Sequence, residues 1–155
     1  LKNFLPAIIF LVACFIAFST GTSWGTFGIL IPIVLAVFPV GSTIGTIGMS
    51  ACLAGAVCGD HCSPISDTTI MSSAGARCDH LNHVSTQIPY AVTVAAISFV
   101  GYLLTGIITS IKGLPEFVIY LSLPVLAVLT VLTLFAIKNS NTESGSFIED
   151  SVGAS

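Results

Sequence analysis

Gly59-Asp60-His61-Cys62-Ser63-Pro64-Ile65-Ser66-Asp67-Thr68-Thr69 is the stretch on which the fold turns. It carries two carboxylates, four hydroxyls and a proline between strongly apolar flanks. Pro64 cannot donate to the Asp60 carbonyl four residues back, and it biases Ser63 away from helical angles. A helix break is therefore expected between Asp60 and Ser66. Ser66 or Asp67 then caps a new short helix, Thr68 to Ala76. In hydrocarbon, a charge and a helix break are both costly, and each marks a site.

The flanks set the medium. Apolar residues make up 54% of the chain and charged residues 7%, with mean hydropathy +1.03. A soluble domain carries about 25% charged residues. Leu1 to Phe18 and Tyr90 to Ile108 are nearly free of charge, and each can cross about 30 Å of hydrocarbon as a helix. Neither run alternates in polarity as a β-barrel strand does. The fold class is all-α integral membrane, with several spans and discontinuous or re-entrant helices. A net charge of −3 leaves no nucleic-acid footprint. The five cysteines lie mostly in apolar surroundings and read as reduced thiols.

Working outward, Phe4 to Thr20 reads as one apolar helix with Pro6 in its first turn. Gly21-Thr22-Ser23-Trp24-Gly25-Thr26 is a second polar break, and Trp24 suits an interfacial anchor. Gly28 to Phe38 is too short to span alone, which leaves a broken helix or a re-entrant hairpin. Gly41 to Gly59 is a helix with Gly41, Gly45, Gly48, Cys52, Gly55 and Gly59 along one face. Such a face lets membrane helices approach closely. Arg77 to Gln87 is expected at a membrane surface, partly helical, ending before Pro89. Tyr90 to Ile108 and Pro115 to Ile137 are further spans, the latter kinked at Pro124. The membrane domain covers 1–138. Residues 139–155 are polar and read as a disordered tail. The chain lacks an initiator Met, so it is expected to be the C-terminal part of a longer protein.

Hard cations take carboxylate, hydroxyl and carbonyl oxygens. Asp60 and Asp67 supply charge, and Ser63, Thr68 and Thr69 supply hydroxyls. Carbonyls freed by Pro64 supply dipoles, the device by which discontinuous helices coordinate Na+ or H+. Ser66 either binds or caps. A buried carboxylate also holds a proton more readily than an exposed one. One group that accepts Na+ or H+ in turn is the minimal basis of antiport, and Na+ is expected at Asp60 and Asp67. Thr22, Ser23 and Thr26 are expected to face this site across a shared cavity. His61, beside Asp60, admits two readings, proton relay or ordinary packing. His80 and His83 admit pH sensing or a solvated interfacial face. Cys58, His61, Cys62, Cys78, His80 and His83 formally permit zinc, but no second compact pair supports it. An aspartyl enzyme needs two carboxylates close together in a water-accessible site, and spacing across a proline neither supports nor excludes that; no enzyme is expected. A non-transporting membrane subunit, with Asp60 pairing to a partner helix, is the remaining alternative.

Three motifs together, Gly21 to Thr26, Gly59 to Thr69, and Asp79-His80-Leu81-Asn82-His83-Val84-Ser85-Thr86-Gln87-Ile88-Pro89-Tyr90, resemble the NhaC-type Na+/H+ antiporter family. The resemblance covers about Phe4 to Tyr102. It implies a multi-pass carrier of the bacterial inner membrane, made of internally repeated, inverted halves with re-entrant hairpins. It implies Na+ and H+ as transported ions, with no cofactor. The partners would be the lipid bilayer, the N-terminal half of the same transporter and, as a further candidate, a second copy in a homodimer. Some relatives couple Na+ and H+ to malate/lactate exchange, which is the second reading. Arg77, the one internal arginine, sits where a surface is expected, which tilts the reading towards simple cation exchange.

Overall fold

The computed structural model describes residues 2–39, 41–110, 127–133 and 135. The expected span from Pro115 to Ile137 falls largely outside the described residues, and the tail 139–155 falls wholly outside them. Among the described residues, a short 3-10 turn at Lys2–Phe4 is followed by α1 Leu5–Thr20, α2 Ser23–Val37, α3 Thr43–Cys62, α4 Asp67–Gly75 and α5 His80–Ser110, and residues 127–133 are helical as well. The described residues contain no strand, so the chain is all-α. Among the described residues, two helices, Thr43–Cys62 and His80–Thr109, are long and apolar enough to cross a membrane.

α1 ends where Gly21 adopts φ +66° and its N–H returns to the Ala17 carbonyl. Only glycine takes this left-handed corner without strain. Thr22 then caps α2, its hydroxyl accepting from the Gly25 N–H at 3.3 Å. The polar break is thus narrower than the sequence suggested. Ser23, Trp24, Gly25 and Thr26 form the first turn of α2, because the cap starts the helix at once. α1 and α2 are a helical hairpin whose arms, 16 and 15 residues, reach only about 24 and 22 Å. Neither arm matches a bilayer's thickness alone.

α3 is the hub, touching α1, α2, α4 and α5. Of the expected small-residue face, Gly48, Cys52, Gly55 and Gly59 are buried, joined by Ala51 and Ala56, whereas Gly45 is half-buried and Gly41 lies exposed in the turn before the helix. A Cβ on Gly55 would collide with the Phe10 carbonyl, and one on Gly59 with the Cys14 carbonyl. Ser63 completes the series by donating to the Phe18 carbonyl at 2.8 Å. Phe10, Cys14 and Phe18 thus meet Gly55, Gly59 and Ser63, each step advancing four residues on both helices. α1 and α3 therefore run parallel, backbone against backbone. α2 returns between their ends: its C-terminal Phe38 ring covers Gly48 near the start of α3. α5 runs antiparallel to α1. A Cβ on Gly106 would collide with the Asn3 carbonyl, while the Tyr102 ring lies 5.4 Å from Phe10.

The polar segment from Arg77 to Gln87 does not stop before Pro89. α5 begins at His80 and continues through Pro89 for 31 residues. Asp79 starts it, its carboxylate accepting from the Asn82 N–H at 2.9 Å, a cap that satisfies an otherwise orphan donor. Pro89 removes one backbone bond, and membrane helices tolerate that loss. The polar residues are thus the first turns of a helix about 46 Å long.

Candidate functional site

The break after α3 lies where the sequence places it. α3 stops at Cys62, Ser63 and Ser66 have extended backbones, and α4 begins at Asp67. The carbonyl of Asp60, expected to be free above Pro64, is instead taken by the Ser63 N–H at 3.1 Å. The helix tightens at its last turn, which offsets what proline removes. The carbonyl of Pro64 is also engaged, by His80 Nε2 at 2.7 Å.

Asp60 is 3% exposed at the end of α3. Its Oδ1 accepts from the Ser66 hydroxyl at 2.7 Å, and the Ser66 oxygen lies 2.8 Å from Thr68 Oγ1. Ser66 spends its proton on the carboxylate, so Thr68 donates to Ser66. The result is an ordered chain of hydroxyls ending on a buried carboxylate. Among the described residues Asp60 has no basic partner. An isolated buried charge is expensive.

Ser66 is the residue whose place sequence reasoning left open. It occupies the N-cap position of α4, yet its side chain makes no cap bond. The only sequence signal was its presence six residues after Asp60, across a proline whose turn geometry decides which way it faces. Asp67 is exposed, and its Oδ1 accepts from the Thr68 N–H at 2.8 Å. Its carboxylate is thus engaged at the start of α4, whereas the Asp60 carboxylate is engaged by Ser66. Thr68 is exposed and Thr69 is buried in α4. Ser63 is fully buried and turned towards Phe18.

The two polar breaks meet. A Cβ on Gly21 would lie 2.9 Å from the Ile65 carbonyl oxygen. The tip of the α1–α2 hairpin therefore rests on the Ser63–Ser66 segment. Thr26 is fully buried behind this tip, donating to the Thr22 carbonyl at 2.9 Å. Thr22 and Ser23 are half-buried, and Trp24 is 81% exposed.

The histidines divide. His61 is exposed, with Nδ1 3.0 Å from the Val57 carbonyl on its own helix rather than on Asp60. It borders a groove of about 690 Å³ between α3 and α5, with Gln87 and Tyr90 opposite. His80 spans the break, and His83 lies half-buried one turn along α5. Among the described residues, no three or more His, Cys, Asp or Glu side chains gather as a metal site. The five cysteines are free thiols.

Removing the Ser66 hydroxyl strips the buried carboxylate of its donor. Ser66→Ala is expected to cost about 1–3 kcal/mol, read as a lower thermal midpoint of the full-length protein in detergent. Thr68→Ala, one step further from the charge, is expected to cost less. Equal midpoints for wild type and Ser66→Ala would show that the bond carries no weight.

The family model described as "Na+/H+ antiporter family" matches residues 1–107. The chain is 49% identical over 137 residues to an uncharacterised protein of Haemophilus influenzae, covering 88% of this chain and 25% of that protein. It is 33% identical over 117 residues to the malate-2H(+)/Na(+)-lactate antiporter of Bacillus subtilis, covering 67% of this chain and 24% of that protein. It is 31% identical over 120 residues to the arginine/ornithine antiporter of Halobacterium salinarum, covering 73% and 24%. The chain thus spans about a quarter of the length of the curated relatives it matches. No solved structure matches it.

Proposed function

This chain belongs to the Na+/H+ antiporter family, and from that premise we propose that it forms part of a transporter, not an enzyme, in which Asp60 accepts Na+ and H+ alternately. The observation that carries this reading is the buried Asp60 carboxylate, fed by hydroxyls and without a basic partner among the described residues. Na+ would be held by Asp60 with the oxygens of Ser66 and Thr68. Ser63, Thr69 and Asp67 lie close by in sequence as supporting candidates, and the rest of the transporter completes the shell.

The coupling follows from charge. A bare carboxylate at membrane depth is costly to move. Either Na+ or H+ neutralises it, so the site reorients when one or the other is bound and not when empty. Each ion crosses only by displacing the other. The helix break and the hairpin tip against it suit a site at the meeting of two discontinuous segments. The setting proposed is the inner membrane of a bacterium, crossed several times.

A second reading is favoured by the relatives that exchange organic solutes. In it, the same Na+ and H+ site drives malate/lactate or amino-acid exchange. Arg77 stands exposed in the turn after α4, at φ +53°, away from the buried carboxylate. An anion-binding group would therefore come from elsewhere in the transporter.

Full-length transporter in proteoliposomes, with a pH dye inside, separates the readings. An inward Na+ gradient alone is expected to drive protons out. Flux that needs malate, lactate or arginine would replace simple cation exchange with solute exchange. Silence under every gradient would return the chain to a non-transporting subunit.

A further inference from the structure

We propose that Cys14 and Cys58 are a peroxide-oxidisable dithiol, whose disulfide ties α1 to α3 and holds the structure around Asp60 shut. The inference rests on the reading of Asp60 as the ion site, and goes beyond it by assigning a modification site that controls access to that carboxylate.

Three of the five cysteines meet at one level of the α1–α3 interface. The thiol of Cys14 on α1 interacts with that of Cys58 on α3, and Cys58 with Cys62 one turn on. All three are free and half-buried. They stand in a row and do not converge as metal ligands would. The row crosses between helices at one step, Cys14 to Cys58. Here the backbones touch: a Cβ on Gly59, next to Cys58, would lie 2.9 Å from the Cys14 Cα. A disulfide spans Cα atoms about 4.4–6.8 Å apart. Helices packed this closely bring Cys14 and Cys58 into that range, leaving only side-chain rotation. Cys58 and Cys62, four apart on one helix, hold their Cβ atoms about 5–6 Å apart, beyond the roughly 3.5–4.5 Å that a disulfide takes.

The oxidant has a way in. Cys58 lines the groove between α3 and α5 with Phe10, Val57, His61, Gln87 and Tyr90, and hydrogen peroxide is small and uncharged. One sulfur attacks an oxygen of the peroxide, becoming a sulfenic acid as the first water leaves. The other sulfur then attacks the sulfenic sulfur, the S–S bond forms and the second water leaves. The two thiols give up two electrons and two protons, and the peroxide takes both. Thiols in a reducing cell stay reduced, so the bond forms under oxidant and is undone by exchange with a dithiol.

The position of the bond gives it a consequence. Asp60 is 3% exposed, so an ion reaches it only when the elements around it part. α1 is one of these elements. Its Phe18 carbonyl holds Ser63, and its end at Gly21 rests on the Ile65 carbonyl. Cys58 lies two residues before Asp60, and Cys14 lies one turn before Phe18. A hydrogen bond and a glycine contact can yield when an ion enters, but a covalent bond at this level keeps the end of α1 on the break.

The test uses full-length transporter in proteoliposomes treated with hydrogen peroxide. One portion is alkylated, digested and analysed by mass spectrometry. A peptide pair linked through Cys14 and Cys58 is expected, and is absent after dithiothreitol. The other portion is assayed for Na+-driven proton movement. That movement is expected to fall to the level of empty vesicles and to return with dithiothreitol, which leaves oxidised methionine as it is. Cys14→Ser and Cys58→Ser are each expected to keep their flux in peroxide. Cys78→Ser, whose thiol points away to the Ser73 carbonyl, is expected to lose flux as wild type does. No Cys14–Cys58 pair, or a Cys58–Cys62 pair in its place, overturns the site. Full flux with the bond fully formed overturns the closure. Wild type that moves no Na+ before oxidation refutes antiport, while the linked peptides still decide the bond.

Discussion

Gly59→Leu and Gly55→Leu are each expected to leave little assembled transporter in the membrane. At both positions the group met by an added Cβ is a carbonyl of α1, of Cys14 and of Phe10. A side chain can rotate away, but a helix backbone cannot. The parallel α1–α3 interface would have to open along its length. Overpacking of this kind costs about 3 kcal/mol or more, against a total stability of roughly 5–15 kcal/mol. Gly55 lies a full turn before Asp60, so its loss reports packing and not ion binding. Gly28, where a Cβ meets nothing within 4 Å, is the control. Fluorescence-detected size exclusion of tagged full-length protein reads the outcome. A sharp, wild-type peak for Gly55→Leu would mean the helices are not packed as described.

Asp60→Asn is expected to abolish Na+-driven proton movement, down to the level of empty vesicles. The substitution keeps an oxygen to accept from Ser66 and nearly the same volume, so the segment stays in place. What disappears is the charge that either ion neutralises. Asp67→Asn is expected to retain most of the flux. Asp67 is exposed, and its carboxylate serves the start of α4, a contribution of about 0.3–1 kcal/mol. Flux that survives in Asp60→Asn and dies in Asp67→Asn would transfer the role to the exposed carboxylate.

Much of this architecture is legible in the residues. The membrane setting follows from runs such as Tyr90 to Ile108, and the break follows from Pro64. The glycine face of α3 is visible from spacing alone, because its period matches the helix. The partner helix was hidden: nothing in Phe10 or Cys14 announces that their carbonyls are covered, since backbone contacts leave no side-chain signature. Pro89 misleads when read locally, because the Asp79 cap before it fixes the start of α5 and the helix absorbs one missing bond. Within the site, Asp60 stands out because a carboxylate ending an apolar helix needs a reason. Asp67 reads in sequence as a second ligand or as a helix cap, and the structure leaves it exposed at the start of α4 while Asp60 is buried. Ser66 and His80 reach their partners across the turn through Ser63–Ser66, at separations no helical or strand period predicts.

The claim that one carboxylate takes Na+ or H+ in turn is tested most directly by proton release. Purified full-length transporter in weakly buffered detergent receives NaCl, with choline chloride as the ionic-strength control, while a dye follows pH. Na+ binding is expected to release protons from wild type and from Asp67→Asn, and none from Asp60→Asn. Undiminished release from Asp60→Asn would contradict the account, because the exchanging proton would then reside on another group.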